Sequence, residues 1–376
     1  MNLTSLLPLL LFTAAPAVAA QAPLPVSSTT YNYYVATTGS DSNPGTLKQP
    51  FLTILRASKV ALPGTTIHVL PGEYAGGFKT TMSGTEAQRI YYVSTVKWGA
   101  RLVPPMSSDT KAGWDNRGDY VDIIGFEVDG SVSRNGIRWT HGIYDAGSYT
   151  VIKSNRVHHI ARDTPCDGVG GAGIGVDSYY HGVHIAVIGN TVHDIGPANC
   201  RFVHGIYIST SGSAKNNIVH NIGGAAIQLW HDANNVVISN NTVAASMTGI
   251  LVGGGDFYHT RGPNDFTTVH NNIVYDNKYG ISEQGETGPN NTYRNNLVFQ
   301  SATADWQLRN GLTHSGTVAR APEFIRYARR GGSDFRLRST SPAIGKGTAE
   351  HAPLTDAVGK MRVHANGVDI GAYQFN

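Results

Sequence analysis

Asn216-Asn217-Ile218-Val219-His220-Asn221-Ile222 is the stretch on which the fold turns, because the chain keeps returning to it. The same phrase, an asparagine with an apolar residue two places on, stands at Asn155, Asn190, Asn217, Asn241, Asn272 and Asn296. A degenerate copy, Gly125-Phe126-Glu127-Val128-Asp129-Gly130, puts Phe126 in the asparagine slot. The steps are 29, 35, 27, 24, 31 and 24 residues, too similar for unrelated loops. Self-similarity at such a period marks a solenoid, in which each repeat buries its apolar face only against its neighbours.

Two further phrases recur around the asparagine. One is Gly142-Ile143, Gly173-Ile174, Gly205-Ile206, Ala226-Ile227, Gly249-Ile250 and Gly280-Ile281; the other is a Val- and Ile-rich run just before each asparagine. Short runs of this kind, bounded by Gly, Asn and Ser, are strand chemistry. No repeated stretch sustains the 3.6-residue stripe of a helical repeat. Three short strands per turn predict an all-β chain, a right-handed parallel β-helix whose coils stack about 4.8 Å apart. Asparagine suits the repeated slot because it tolerates left-handed backbone and because stacked amides can hydrogen-bond along a ladder. Ordinary turn asparagines are the alternative. The 44 glycines and the 15% of charged residues fit a strand-rich chain with many corners.

Residues 1–20 read as a secretory signal, with an apolar run from Leu6 to Ala15 and small residues to Ala20, although no Lys or Arg precedes the run. The run is too short to span a bilayer, and nothing later is long enough. The expected product is therefore secreted or periplasmic, with no membrane span. Cys166 follows Asn155 by eleven residues and Cys200 follows Asn190 by ten, nearly equivalent places on adjacent coils. That spacing predicts a disulfide, formed in an oxidising compartment, which would pin the insertions 161–172 and 196–204; two free thiols are the alternative. Residues 21–319 are expected to form the β-helix, with a helical cap at 53–61. Residues 320–376, Arg-rich and without the asparagine phrase, are expected to form an extended C-terminal cap.

The ends carry a resemblance. Residues 33–58, YYVATTGSDSNPGTLKQPFLTILRAS, with 62–74, LPGTTIHVLPGEY, resemble the opening of secreted bacterial right-handed β-helix proteins of the pectate-lyase-like superfamily. Residues 334–348, DFRLRSTSPAIGKGT, with 369–375, DIGAYQF, resemble their closing segment. The resemblance implies the fold over nearly the whole mature chain. It leaves the reaction open, because the superfamily holds polysaccharide lyases, uronate epimerases, glycoside hydrolases and members without known activity. The polygalacturonase pattern is absent, and so is the Asp-Pro-His-Asp motif of alginate C5-epimerases, of which Leu229-Trp230-His231-Asp232 shares only His-Asp.

If the Gly-Ile isoleucines point inward, Tyr144, Gly175, Tyr207, Gln228, Leu251 and Ser282 point outward. Tyr144 and Tyr207 would then flank Gly175 about 10 Å apart, a slot for a sugar ring with Asp177 on its floor. His141 and His204 open the two Tyr strands, Arg201 sits on the pinned loop, and Trp230, His231 and Asp232 leave the next strand. The bland alternatives are a turn-bonding His and a solvated His-Asp turn. Asp256, His259 and Arg261 fall in a Gly-rich insertion that could be a wall. Glu283 has inward parity, which predicts that its strand stops at Ser282. His158-His159 lacks a carboxylate at ligand spacing.

These residues predict a polysaccharide lyase acting on an acidic glycan. Elimination needs a neutraliser for the uronate carboxylate (Arg201 or Lys278), a base (His204 or His231) and an acid, with Tyr207 able to serve as either. Tyr144, Gly175, Asp177, Trp230, Asp232 and Lys278 would bind substrate. A net charge of +3 fits an anionic partner. The rivals are a glycoside hydrolase using Asp177 with Asp232, and a glycan-binding envelope protein without activity. The chain is expected to act as a monomer on a polysaccharide, without nucleic acid. A calcium ion is possible, though no sequence pattern marks its site.

Overall fold

The computed structural model describes residues 31–106, 111–132, 138–362 and 367–375, so the expected signal at 1–20 lies outside them. The chain winds as the expected right-handed parallel β-helix, with three parallel sheets of eleven, nine and nine strands. Each coil gives one strand to each sheet. The cleft sheet holds His141–Asp145, Gly171–Val176, Val203–Ile208, Ala225–Leu229, Thr248–Gly254 and Tyr279–Gly285. The asparagine phrase leads into the second nine-stranded sheet, with Arg156–His158, Thr191–Ile195, Ile218–Ile222 and Thr242–Ala244.

Ile143, Ile174, Ile206, Ile227, Ile250 and Ile281 stack in register and are fully buried. Val157, Val192, Val219, Val243 and Val274 form the matching inner column of the second sheet. The glycine before each isoleucine has a packing reason. A Cβ on Gly205 would lie 2.4 Å from Val219 Cγ1 and 2.5 Å from the Ala226 carbonyl.

The asparagine ladder is continuous. The Oδ1 of each of Asn190, Asn217, Asn241, Asn272 and Asn296 accepts from the backbone N–H of the ladder asparagine one coil before it, always at 2.9 Å. Phe126 keeps only the backbone half of the arrangement: its N–H donates to Asn155 Oδ1, while its ring packs on Trp114. The left-handed backbone lies one residue earlier than expected, at Ser154, Gly189, Asn216, Asn240, Asn271 and Asn295. The ladder asparagine is thus selected for its amide, and its predecessor for the turn.

Those predecessors hold the C-terminal segment. Nδ2 of Asn216, Asn240, Asn271 and Asn295 donates to the carbonyls of Thr355, Asp369, Thr348 and Lys346. The extended C-terminal segment thereby covers the flank of the later coils. The buried guanidinium of Arg362 clamps it, donating to Asn216 Oδ1 and to the carbonyls of Gly371 and Ala372. At the other end the α-helix Ile54–Ser58 covers the first coils, with Thr53 Oγ1 accepting from the Arg56 N–H at its start.

One expectation is overturned inside the barrel. The strand continues past Ser282 to Gly285, and Glu283 points inward with 4% of its surface exposed. Its carboxylate is satisfied there by the Tyr293 hydroxyl at 2.7 Å, Asn291 Nδ2 at 2.9 Å and the Arg309 N–H at 2.8 Å. A buried carboxylate with three donors avoids the penalty that an unpartnered one would carry.

Candidate functional site

A cleft of about 650 Å³ opens on the outer face of the cleft sheet. Its floor is set by strand alternation: Tyr207 and Gln228 are neighbours in register, as are Gln228 and Leu251. Arg201 and Phe202, on the loop after Cys200, form one wall, with the guanidinium over the Phe202 ring at 4.7 Å. The Cys166–Cys200 disulfide ties that loop to the preceding insertion, with Cα atoms 5.5 Å apart.

Trp230, His231 and Asp256 form the opposite wall. The indole of Trp230 lies on a bed of glycines: a Cβ on Gly253 would come within 2.7 Å of it, and one on Gly255 within 3.0 Å. His231 is fixed on both sides. Its Nδ1 donates to the Asp256 carbonyl at 2.8 Å, so its Nε2 accepts from the Tyr258 hydroxyl at 2.9 Å. The Tyr258 ring stacks on the imidazole at 4.0 Å. Burial, with Asp177 and Asp256 nearby, pushes the Tyr258 hydroxyl up to about 12. The Tyr207 hydroxyl is also raised well above its ordinary value, by burial first and then by Tyr258, Asp177 and Asp256.

His204 stacks on Tyr207 at 4.8 Å, and its Nδ1 has no hydrogen-bond partner. Burial, then the neighbouring His141, push its imidazole down to about 3, so the ring is neutral at ordinary pH. His141 also lines the cleft and is pushed down to about 4 by burial.

The other expected site residues divide. Tyr144, Gly175 and Tyr207 do align across three coils, but the slot is partly filled, because His141 Cδ2 lies 3.0 Å from where a Gly175 Cβ would stand. Tyr144 donates to Asp177 Oδ2 at 2.5 Å, and Asp177 Oδ1 takes the Ser209 hydroxyl and the Tyr179 N–H. Asp232 is buried and accepts from the Ser178 hydroxyl, the Thr260 N–H and hydroxyl, and the His259 N–H. Although burial alone would raise its carboxyl, these donors, Thr260 foremost, hold it below its ordinary value. Asp232 therefore anchors the loop that carries Tyr258. Lys278 is not brought to the cleft: it lines a separate groove of about 390 Å³ with Arg162, Arg329, Arg330 and Asp194.

Tyr258 was not singled out from the sequence, and Asp256 was read only as part of a wall. The available signal was Gly253 and Gly255, whose bare backbone makes room for the Trp230 indole of the preceding coil. Among the described residues no helix is long and apolar enough to cross a membrane.

A model described as a right handed beta helix region matches residues 114–243, and one described as a protein of unknown function (DUF1565) matches residues 37–82. An uncharacterized Bacillus subtilis (strain 168) protein, YwoF, is 39% identical over 59 residues, 16% of this chain and 13% of that protein's length. Among solved structures, pectate lyase Pel9A aligns with a TM-score of 0.57 and 18% identity, covering 93% of this chain and 97% of that one. A glycoside hydrolase aligns at 0.53 with 10% identity, over 77% and 96% of the two chains. The A-module of the Azotobacter vinelandii mannuronan C-5 epimerase AlgE4 aligns at 0.51 with 13% identity, over 70% of each. Identities this low speak for architecture and not for reaction. By its fold the chain is a right-handed parallel β-helix.

Proposed function

We propose that the protein is an exported polysaccharide lyase that cleaves an acidic, uronate-containing polysaccharide by β-elimination in the cleft of Arg201, Tyr207, Trp230 and His231. The observation that carries the reading is the His231–Tyr258 pair. With Nδ1 committed to the Asp256 carbonyl, Nε2 is left as the acceptor 2.9 Å from the Tyr258 hydroxyl and can draw its proton as that oxygen acts. Arg201 pairs with the uronate carboxylate and acidifies the C5 hydrogen. Tyr258 oxygen takes the C5 proton while its own passes to His231. Tyr207, kept as a phenol by its raised pKa, gives a proton to the leaving oxygen on C4. The C5–H and C4–O bonds break, a C4–C5 double bond forms, and no water is consumed.

Neutral His204 suits a hydrogen bond to a sugar hydroxyl better than proton abstraction, since a base so weak has little driving force. Trp230 offers its face to a sugar ring. Asp177 and Asp232 are each engaged by several donors, which disfavours a two-carboxylate hydrolase built on them. Likeness of fold to proteins named pectate lyase and mannuronan epimerase agrees with a uronate substrate. The disulfide agrees with export.

The test is product analysis over a panel of uronate polysaccharides. Unsaturated ends, seen by the ultraviolet absorbance of the new double bond, are expected. New reducing ends without that absorbance would mean hydrolysis, and binding with neither product would mean a glycan-binding protein.

A further inference from the structure

The second nine-stranded sheet carries a histidine column that the cleft does not use. Sheet register sets Asp129 beside His158, His158 beside His193, and His193 beside His220. The imidazoles stack nearly parallel, His158 on His193 at 4.9 Å and His193 on His220 at 5.1 Å. At the Asp129 end the column meets His159. The sequence offered His158-His159 no carboxylate at ligand spacing; coil stacking supplies one from 29 residues earlier, since 158 − 129 = 29. One ligand atom each from Asp129, His158 and His159 lies within 4.8 Å of the others.

The hydrogen bonds orient these atoms. His158 Nε2 is 3.0 Å from Glu127 Oε1, and a carboxylate only accepts, so Nε2 carries the proton. In the neutral ring Nδ1 is then a lone pair. It faces His159 Nδ1 at 2.6 Å and Asp129 Oδ1 at 3.4 Å. Bonds of ~2.0–2.1 Å to a tetrahedral ion set neighbouring ligands about 3.3–3.4 Å apart. The His158–Asp129 spacing already fits; His159 Nδ1, which donates to His158 Nδ1 at 2.6 Å, has to draw back and give up its proton to ligate. Asp129 Oδ1 is steadied by the Ser131 N–H and Oδ2 by Arg101.

We propose that Asp129, His158 and His159 bind a divalent first-row transition ion of the zinc type, with Glu127 holding His158 in place from behind. Two imidazoles select such an ion over calcium, which takes oxygen ligands. The site ties one coil to the next on a sheet other than the cleft's, so its role is structural.

The experiment uses the untagged mature chain, stripped with chelator and titrated with Co²⁺. One equivalent should bind with the ligand-field bands of a tetrahedral cobalt ion, be displaced by Zn²⁺, and raise the melting temperature. His159→Gln and Asp129→Asn should each weaken binding by at least ~10-fold, and Glu127→Gln by about 10–100-fold. Circular dichroism without metal checks that the variants fold; His159, at the surface edge, is the safest of them. Bands that persist in His159→Gln, or a wild-type chain that takes up no cobalt, would overturn the proposal.

Discussion

The side chain of Asn217 makes four hydrogen bonds, to the Asn190 N–H and amide, the Val187 carbonyl and Asn241 Oδ1. Being wholly buried, it leaves partners stranded when removed. Asn217→Ala should therefore cost about 2–3 kcal/mol, read as a lowered midpoint in denaturant, because the orphaned Asn190 donors keep their desolvation penalty. Gly253 is an informative residue on the outer face. A methyl group there meets the Trp230 indole and the Gln284 carbonyl, so Gly253→Ala should tilt the indole. The expected result is a KM raised by about five-fold, near 1 kcal/mol of lost stacking, with kcat little changed. An unchanged KM would remove Trp230 from the sugar-binding surface.

Strands and loops carry a different lesson. The ladder, the inward isoleucines and the disulfide were legible because each follows from a repeat phrase and its phase. The cleft was legible only in part. Tyr207, Trp230, His231 and Arg201 share it, yet Lys278 falls in another groove, because a loop residue's direction is not fixed by strand parity. Tyr258 escaped notice because its position depends on a loop folded back onto Asp232. Glu283 departs from the rule against buried charge because Tyr293, Asn291 and Arg309, from later parts of the chain, meet its carboxylate. The doublets Asn216-Asn217, Asn240-Asn241, Asn271-Asn272 and Asn295-Asn296 mark the coils that hold the C-terminal segment, a signal hidden while all asparagines were read alike. At this scale the disulfide is the lever. It closes a loop with a sequence separation of 34, so Cys166→Ser should cost about 3–4 kcal/mol by loop entropy. It should also raise KM, because Arg201 stands on the freed wall; melting curves and steady-state kinetics check the two effects.

Across the whole molecule, stacking buries imidazoles that an unfolded chain would expose. Burial pushes His141, His220 and His270 down to about 4 and His204 to about 3. Between the ordinary value of 6.5 and these lowered values, the unfolded chain binds more protons than the native one. Stability should therefore fall as pH drops from about 6.5 toward 3, with lowered carboxyls such as Asp232 adding to the loss at the acid end. Urea midpoints taken across the window check the sign; a midpoint that rose on acidification would show that the imidazoles are not buried neutral. Stacking also sets the aromatic cleft of Arg201 beside the basic groove of Lys278, with Met247 lining both. Which of them holds substrate decides the functional account. The most direct measurement is a crystal structure with a bound oligouronide. It should show a sugar ring on Trp230 with its carboxylate on Arg201 and its C5 hydrogen facing Tyr258; an oligouronide seated beside Lys278, Arg329 and Arg330 with the cleft unused would contradict it.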